Sequence, residues 1–222
     1  TIEDGVTEII GAFSNCISLK VLTIPKTVTK ISGGVISGCT LITSFEIPDT
    51  VTEIEGLTFS GCTALTTVKF PAGVIKEIYD NMFSMTAIET FVVPESATVI
   101  GNSAFESCTK LKTIVMHDGI TRINFRAFRN CTALTSVVIP SSVKSIGSYV
   151  FSGCTKLESV TLHDTFRYIG HDAFLDCFTL TDITLPKSIT FIGSNAFGHS
   201  SSRPKKSMIY SGTKAEWGAI KK

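Results

Sequence analysis

The feature that most constrains the fold of this chain is a repeat of 23 residues that runs through the sequence. Its seven cysteines are separated by 23 residues or a multiple of 23, and an apolar residue, usually phenylalanine, stands three residues before each one. A unit of this length cannot enclose its own core, so successive units must stack as a solenoid in which equivalent side chains form interior columns. The two clearest columns comprise Cys16, Cys39, Cys62, Cys108, Cys131, Cys154 and Cys177, and Phe59, Phe105, Phe128, Phe151 and Phe174.

The cysteine series has one slot without a cysteine, position 85, and Met85 occupies it. Phe83 lies two residues before Met85, which predicts that this repeat gains one residue before Phe83 and loses one after it. We expect Met85 to replace cysteine in the core, and the thiols to be free, buried and inert, because buried cysteine packs as a small hydrophobe. Adjacent cysteines about 5 Å apart leave disulfides as an alternative, whereas the C-x-x-C spacing typical of a zinc site is absent.

Each cysteine is followed by a segment of the pattern L-x-x-I-x-I, usually closed by proline, as in residues 65–71 and 134–140. The alternation of apolar and polar residues predicts a strand with one buried face, and equal spacing predicts that the strands pair in parallel. About nine such rungs at ~4.8 Å would form a rod roughly 40 Å long. We expect the last rung at residues 208–210, and a V-x-x-I element follows most rungs, as in residues 51–54.

The outward positions of these segments form a surface that we call the strand face. It is rich in serine and threonine, carries charges of both signs and a small stripe of valines, and contains no aromatic residue. Strand propensity alone explains much of this composition, but it also suits a broad, shallow surface for binding a protein. The candidate binding residues are Thr23, Glu46, Lys69, Val92, Lys112, Val115, Val138, Thr161 and Thr184.

Composition and motifs argue against several other classes of function. A hydrophobic content of 43% is too high for disorder, and a net charge of +1 gives no electrostatic signature of nucleic-acid binding. No apolar run approaches the ~18 residues of a membrane span. His117 and His163 recur in one column, expected at exposed corners roughly 10 Å apart, too far to share a metal directly. Without a phosphate loop or a paired nucleophile, the sequence predicts no enzyme activity, no metal and no cofactor.

The two ends of the chain differ in what they predict. The repeats cover residues 1–199 of a single domain, 1–222, and begin in the middle of a repeat, so we expect a fragment of a longer protein. Residues 200–222 should form a loop, the last strand and a C-terminal cap. There, Thr213 and Glu216 match a capping box, and the helix would bring Trp217 over the last rung. A role for Trp217 in stacking on a ligand is the alternative.

The segments SGCTALTTVKFPAGV (60–74) and SGCTKLESVTLHDTF (152–166), with the tail MIYSGTKAEWGAI (208–220), resemble the BspA-like leucine-rich repeat family. The resemblance covers essentially the whole chain. It implies a curved, right-handed superhelix with one parallel β-sheet on its concave face. It also implies a secreted or surface-displayed microbial protein used for adhesion. His117 and His163 in the proline slot, and Ile36 in the phenylalanine slot, depart from the pattern.

Together these observations predict a non-enzymatic, adhesin-like recognition module at the cell surface or outside the cell. The strand face would bind a protein of a host or of a neighbouring cell, without nucleic acid and without a membrane-spanning segment, and we expect a monomer. A structural spacer within a larger surface protein and a glycan-binding module are the alternatives.

Overall fold

The computed structural model describes residues 2–56, 58–180, 182–199 and 207–221. Every strand pairing within these ranges is parallel, and almost all join residues 23 positions apart. This confirms the predicted repeat solenoid. The elements are β1 (Glu8–Ile10), β2 (Lys30–Ser32), β3 (Ser44–Glu46), β4 (Glu53–Glu55), β5 (Thr67–Lys69), β6 (Thr90–Val92), β7 (Val99–Ile100), β8 (Thr113–Val115), β9 (Arg122–Ile123), β10 (Ser136–Val138), β11 (Ser145–Ile146), β12 (Ser159–Thr161), β13 (Tyr168–Ile169), β14 (Asp182–Leu185), β15 (Phe191–Ile192), β16 (Ser207–Tyr210) and α1 (Lys214–Ala219).

The strand face is built by the L-x-x-I-x-I segments, as predicted. Its strands are β3, β5, β6, β8, β10, β12, β14 and β16, and hydrogen-bonded pairs join β3 to β5, β6 to β8, β10 to β12 and β14 to β16. The last rung lies where the sequence predicts it, on β16. In most of these strands the middle residue is buried and its two neighbours are exposed, as expected for a sheet with one buried face.

The first of the nine predicted rungs, residues 19–25, contains no strand. Leu22 and Ile24 still point inward and are buried, whereas Val21 is 75% exposed. The segment therefore fills its place in the core without the backbone pairing of the later rungs.

A second set of strands accompanies the predicted sheet, and we call their surface the short-strand face. Its strands are β1, β2 and β4, followed by β7, β9, β11, β13 and β15, all formed by the V-x-x-I elements or their equivalents. Their isoleucines pair in register, for example Ile123 with Ile146 and Ile146 with Ile169, and all three are buried. Each repeat thus contributes one strand to each of two surfaces.

The interior columns are continuous. Phenylalanine rings stack with centroids 5.2–5.5 Å apart and interplanar angles of 3–19°, so each ring packs on its neighbours in the repeats before and after it. The rings of this stack belong to Phe59, Phe83, Phe105, Phe128, Phe151, Phe174 and Phe197.

All seven cysteines are free, and six are buried. The buried thiols donate to a backbone carbonyl of the preceding repeat, as Cys131 Sγ does to Phe105 O at 3.1 Å and Cys154 Sγ to Phe128 O at 3.1 Å. Cys16 is exposed, so the expectation that all seven thiols lie in the core is wrong for the first repeat.

The prediction that Met85 takes the place of a cysteine is also wrong. Met85 is 48% exposed and has φ 58°, the left-handed conformation that Ser107 and Asn130 adopt directly before their cysteines. Thr86 occupies the slot instead: it is buried, and its hydroxyl donates to Phe83 O at 2.9 Å and lies 3.4 Å from Cys108 Sγ. The spacing of three residues after the phenylalanine is therefore kept, and the missing residue falls after Thr86.

The C-terminal cap forms as predicted. The Thr213 hydroxyl accepts from Glu216 N at 3.2 Å, and the Glu216 carboxylate accepts from Thr213 N at 2.7 Å, which completes the capping box of α1. Trp217 packs on Tyr210 with ring centroids 5.4 Å apart, and Ile220 is buried. The predicted stub of a strand at Thr1 and the predicted loop at residues 200–206 lie outside the described residues.

Candidate functional site: the strand face

All nine candidate binding residues of the strand face are exposed. Eight of them form one outward column, in which register pairs join Glu46 to Lys69, Val92 to Val115 and Val138 to Thr161. Thr184 pairs with Ile209 at the last rung, so an exposed isoleucine that the sequence analysis did not include extends this column. Lys112 lies in a different outward column. The solenoid therefore brings residues that are distant in sequence onto one continuous surface.

The charges of this surface are arranged as ion pairs between adjacent rungs. Lys69 Nζ lies 2.6 Å from Glu46 Oε1, and Lys112 Nζ lies 2.7 Å from Glu89 Oε2. The hydrogen bond from Lys112 and its charge hold the pKa of Glu89 below its ordinary value. Because both pairs are exposed to solvent they add little stability. Their effect is to neutralise charge on both sides of the valine stripe.

The valine stripe comprises Val92, Val115 and Val138, which are 65%, 48% and 59% exposed. They occupy successive rungs, so the stripe is roughly 10 Å long at ~4.8 Å per rung. Valine suits a strand, but three exposed valines in register also leave apolar area open to solvent.

A groove of about 600 Å³ lies beside the first rung and is lined by two of the candidate residues, Thr23 and Glu46. Val21, Lys26 and Asp49 line it as well. It exists because residues 19–25 do not continue the sheet, which leaves a step in the surface next to β3.

The histidines give no sign of a catalytic centre. His117 and His163 are partly buried, so their predicted exposure is wrong. The reason for His117 is that its ring is held by the backbone: Nε2 lies 3.0 Å from Pro94 O, and Nδ1 accepts from Gly119 N at 3.0 Å. Within the described ranges, no three side chains of histidine, cysteine, aspartate or glutamate gather into a group that could hold a metal ion.

Sequence reasoning missed a set of aromatic residues on the short-strand face. Phe125 and Tyr168 are 39% and 38% exposed, and the Tyr168 ring stacks on Phe191 at 4.4 Å. The sequence does contain a signal for the pair, because Tyr168 and Phe191 are 23 residues apart and each precedes a buried isoleucine. It was overlooked because only the L-x-x-I-x-I segments were expected to form a sheet.

Among the described residues, no helix combines the length and apolar character needed to cross a bilayer. No curated protein matches this chain. A leucine-rich repeat protein from Bacteroides ovatus is similar in structure, with a TM-score of 0.80 and 28% identity over 93% of this chain. This chain spans 55% of the length of that protein.

Two further solved structures have the same fold. A leucine-rich repeat protein of T. pallidum has a TM-score of 0.64 and 25% identity, covering 81% of this chain and 86% of its own. A leucine-rich cell surface protein from Faecalibacterium prausnitzii has a TM-score of 0.51 and 20% identity, covering 97% and 86%. The BspA type leucine-rich repeat region matches in six copies, over residues 1–112 and 76–203. This chain therefore belongs to the BspA-type leucine-rich repeat family.

Proposed function

We propose that this chain is a non-enzymatic, adhesin-like module, displayed on a cell surface or secreted, that binds a protein through its strand face. The observation that carries the proposal is the valine stripe, an apolar surface set on a rigid sheet between ion-paired flanks. A protein partner could cover the stripe without desolvating an unpaired charge, and burial of apolar surface contributes about 25 cal/mol per Å². Membership in the family supports the surface location.

The arrangement also accounts for the absence of aromatic residues on this surface. A broad face of serine, threonine and valine offers shape and hydrogen bonds without a deep pocket, which suits a protein surface better than a small molecule. The stacked repeats hold the face rigid, since each phenylalanine ring of the core packs on rings of the neighbouring repeats. A preformed surface loses less conformational entropy on binding.

Substitution of Val115 tests the proposal. Val115→Asp places a charge at the centre of the stripe on an exposed position, so the fold should be unchanged while affinity for the partner falls at least about tenfold. The matched control is Ile10→Asp, which makes the same kind of change at a residue that is 66% exposed on β1, on the short-strand face. The purified chain and both variants would be measured by biolayer interferometry against immobilised fibronectin, laminin, fibrinogen and collagen.

We expect one of these matrix proteins to bind the original chain and Ile10→Asp equally, and Val115→Asp weakly or not at all. Binding that is identical in all three chains would contradict the role of the strand face. If adhesion is instead lost only when repeats are removed, the spacer function replaces this proposal.

A further inference from the structure

We propose that a groove on the short-strand face, between Arg122 and Tyr168, binds an acidic sugar unit of a glycan. The groove has a volume of about 240 Å³. Pockets for drug-sized molecules usually occupy about 300–1,000 Å³, so this groove suits a single sugar ring that projects from a longer chain. The site shares no residue with the valine stripe, and it does not depend on the function proposed for the strand face.

The groove forms because one repeat presents small residues between two repeats that present large ones. Ser145 on β11 lies in register with Tyr168 on β13, and the pairing of Ile146 with Ile123 places Arg122 on its other side. Arg122 and Tyr168 are two rungs apart, a gap of roughly 10 Å that the serine side chain does not fill. Gly147 lines the same groove, and a Cβ there would lie 2.9 Å from Phe125 N, so its floor is backbone.

Tyr168 supplies a flat apolar wall. Its ring stacks on Phe191 with centroids 4.4 Å apart and planes only 6° from parallel, which covers one ring face and directs the other along the solenoid axis toward Ser145. Such an aromatic face suits the C–H groups on one side of a pyranose ring. The repeat itself does not require an aromatic residue here, since the equivalent outward positions on β2 and β4 hold Lys30 and Glu53.

Phe125 forms the next part of the rim. It is 39% exposed, its ring packs edge-on against Tyr149 at 5.8 Å, and the Arg126 guanidinium lies 4.6 Å from its centroid. The equivalent positions in the neighbouring repeats, Asn102 and Ser148, are polar. Two of the aromatic side chains lining this surface are therefore additions to the repeat pattern, and they occur beside the same groove.

The polar groups of the groove favour a negatively charged ligand. In the part of the chain that the structure describes, no carboxylate lies within 4.0 Å of the Arg122 guanidinium. Arg167, next to Tyr168 in the chain, is a further exposed cation. The Asp80 carboxylate accepts hydrogen bonds from Asn102 N at 2.6 Å and Asn102 Nδ2 at 2.9 Å, which engages its charge. A guanidinium matches a carboxylate with two parallel hydrogen bonds, so a sugar acid can stack on Tyr168 and pair with Arg122.

The test uses immobilised glycans in charged and neutral pairs: sialyllactose with lactose, and a hyaluronan tetrasaccharide with chitotetraose. We expect the chain to bind a charged member at least tenfold more tightly than its neutral counterpart. Tyr168→Ala, Arg122→Gln and Ser145→Trp should each weaken this binding at least tenfold, the last by filling the groove. Tyr168→Phe keeps the aromatic wall and should bind like the original chain, as should Val115→Asp on the strand face.

Three results would overturn the proposal: no binding of either charged glycan, equal binding of charged and neutral partners, or binding that survives both Tyr168→Ala and Ser145→Trp. A matrix glycoprotein bound through Tyr168 after enzymatic removal of its glycans would also overturn it, in favour of a protein-docking site. Thermal unfolding of each variant shows whether a loss of binding reflects the groove or a loss of the fold.

Discussion

The cysteine slot shows how single residues satisfy the interior of this solenoid. Each slot lies against a backbone carbonyl of the core, and the side chain in it needs to be small and to supply one donor. Cys108 meets this requirement through its thiol, which donates to Phe83 O at 2.8 Å, and Thr86 meets it through its hydroxyl in the repeat without a cysteine. The slot therefore selects hydrogen-bonding capacity as well as apolar volume, which explains how threonine can replace cysteine there.

The buried thiols make stability depend on alkaline pH. Burial raises the pKa of Cys62 and of Cys108 from the ordinary value of 9.0 to about 11 in each case. Between these values the folded chain holds protons that the unfolded chain releases, so stability is full below pH 9 and falls as pH rises toward 11. A shift of two units corresponds to about 2.7 kcal/mol for each thiol.

Urea unfolding between pH 7 and pH 10.5 measures this dependence. The double variant Cys62→Ala with Cys108→Ala should start from a lower stability but lose less of it across the same range. An identical fall in both proteins would assign the effect to other groups.

At the scale of elements, stacking of equivalent groups stabilises the fold. Phe128 is completely buried between Phe105 and Phe151, with ring centroids 5.3 and 5.4 Å away. We expect Phe128→Ala to lower the free energy of unfolding by about 3–5 kcal/mol, because it opens a cavity in a column that cannot collapse. Chemical denaturation followed by circular dichroism measures the loss, and Phe125→Ala, which truncates a partly exposed ring, should cost less than about 1 kcal/mol. Equal losses would refute the continuous ring stack.

The glycines of the short-strand face set how closely successive repeats approach. A Cβ at Gly170 would lie 2.4 Å from the Gly147 carbonyl carbon, whereas a Cβ at Gly218 in α1 would meet nothing within 4 Å. Gly170→Ala should therefore destabilise by about 1–3 kcal/mol, and Gly218→Ala should be neutral or stabilise by up to about 1 kcal/mol. Thermal melts of the two variants separate these outcomes, and a harmless Gly170→Ala would contradict the close backbone approach.

The elements also show where sequence reasoning succeeds and where it stops. Segments such as residues 134–140 alternate over six or more positions, and that pattern identifies their strands and buried face. The short strands, such as β11 and β13, contain only two residues, too few for an alternation to be recognised. Met85 was misplaced because position in a 23-residue count is a weaker guide than spacing from Phe83, which fixes the chain path into the core.

At the scale of the whole molecule, the repeat separates interior from surface. Interior positions are nearly identical from rung to rung, so the sequence predicts the core, whereas outward positions vary and carry whatever recognition the chain performs. The strand face could be predicted because its strands could. The groove beside Tyr168 could not, because it depends on which outward residues meet across three repeats and on the small size of Ser145 between them.

The central claim is that equivalent residues of successive repeats stack at a constant rise. Spin labels on the strand face test it directly, with one label at Ser44 and a second at Thr113, Ser136 or Ser159, all exposed, in a chain whose exposed Cys16 is replaced by serine. These positions are three, four and five rungs from Ser44. Pulsed electron–electron double resonance should give backbone separations that rise by about 4.8 Å per rung, near 14, 19 and 24 Å. Separations that do not increase steadily with rung number would show that the repeats do not form a single stack.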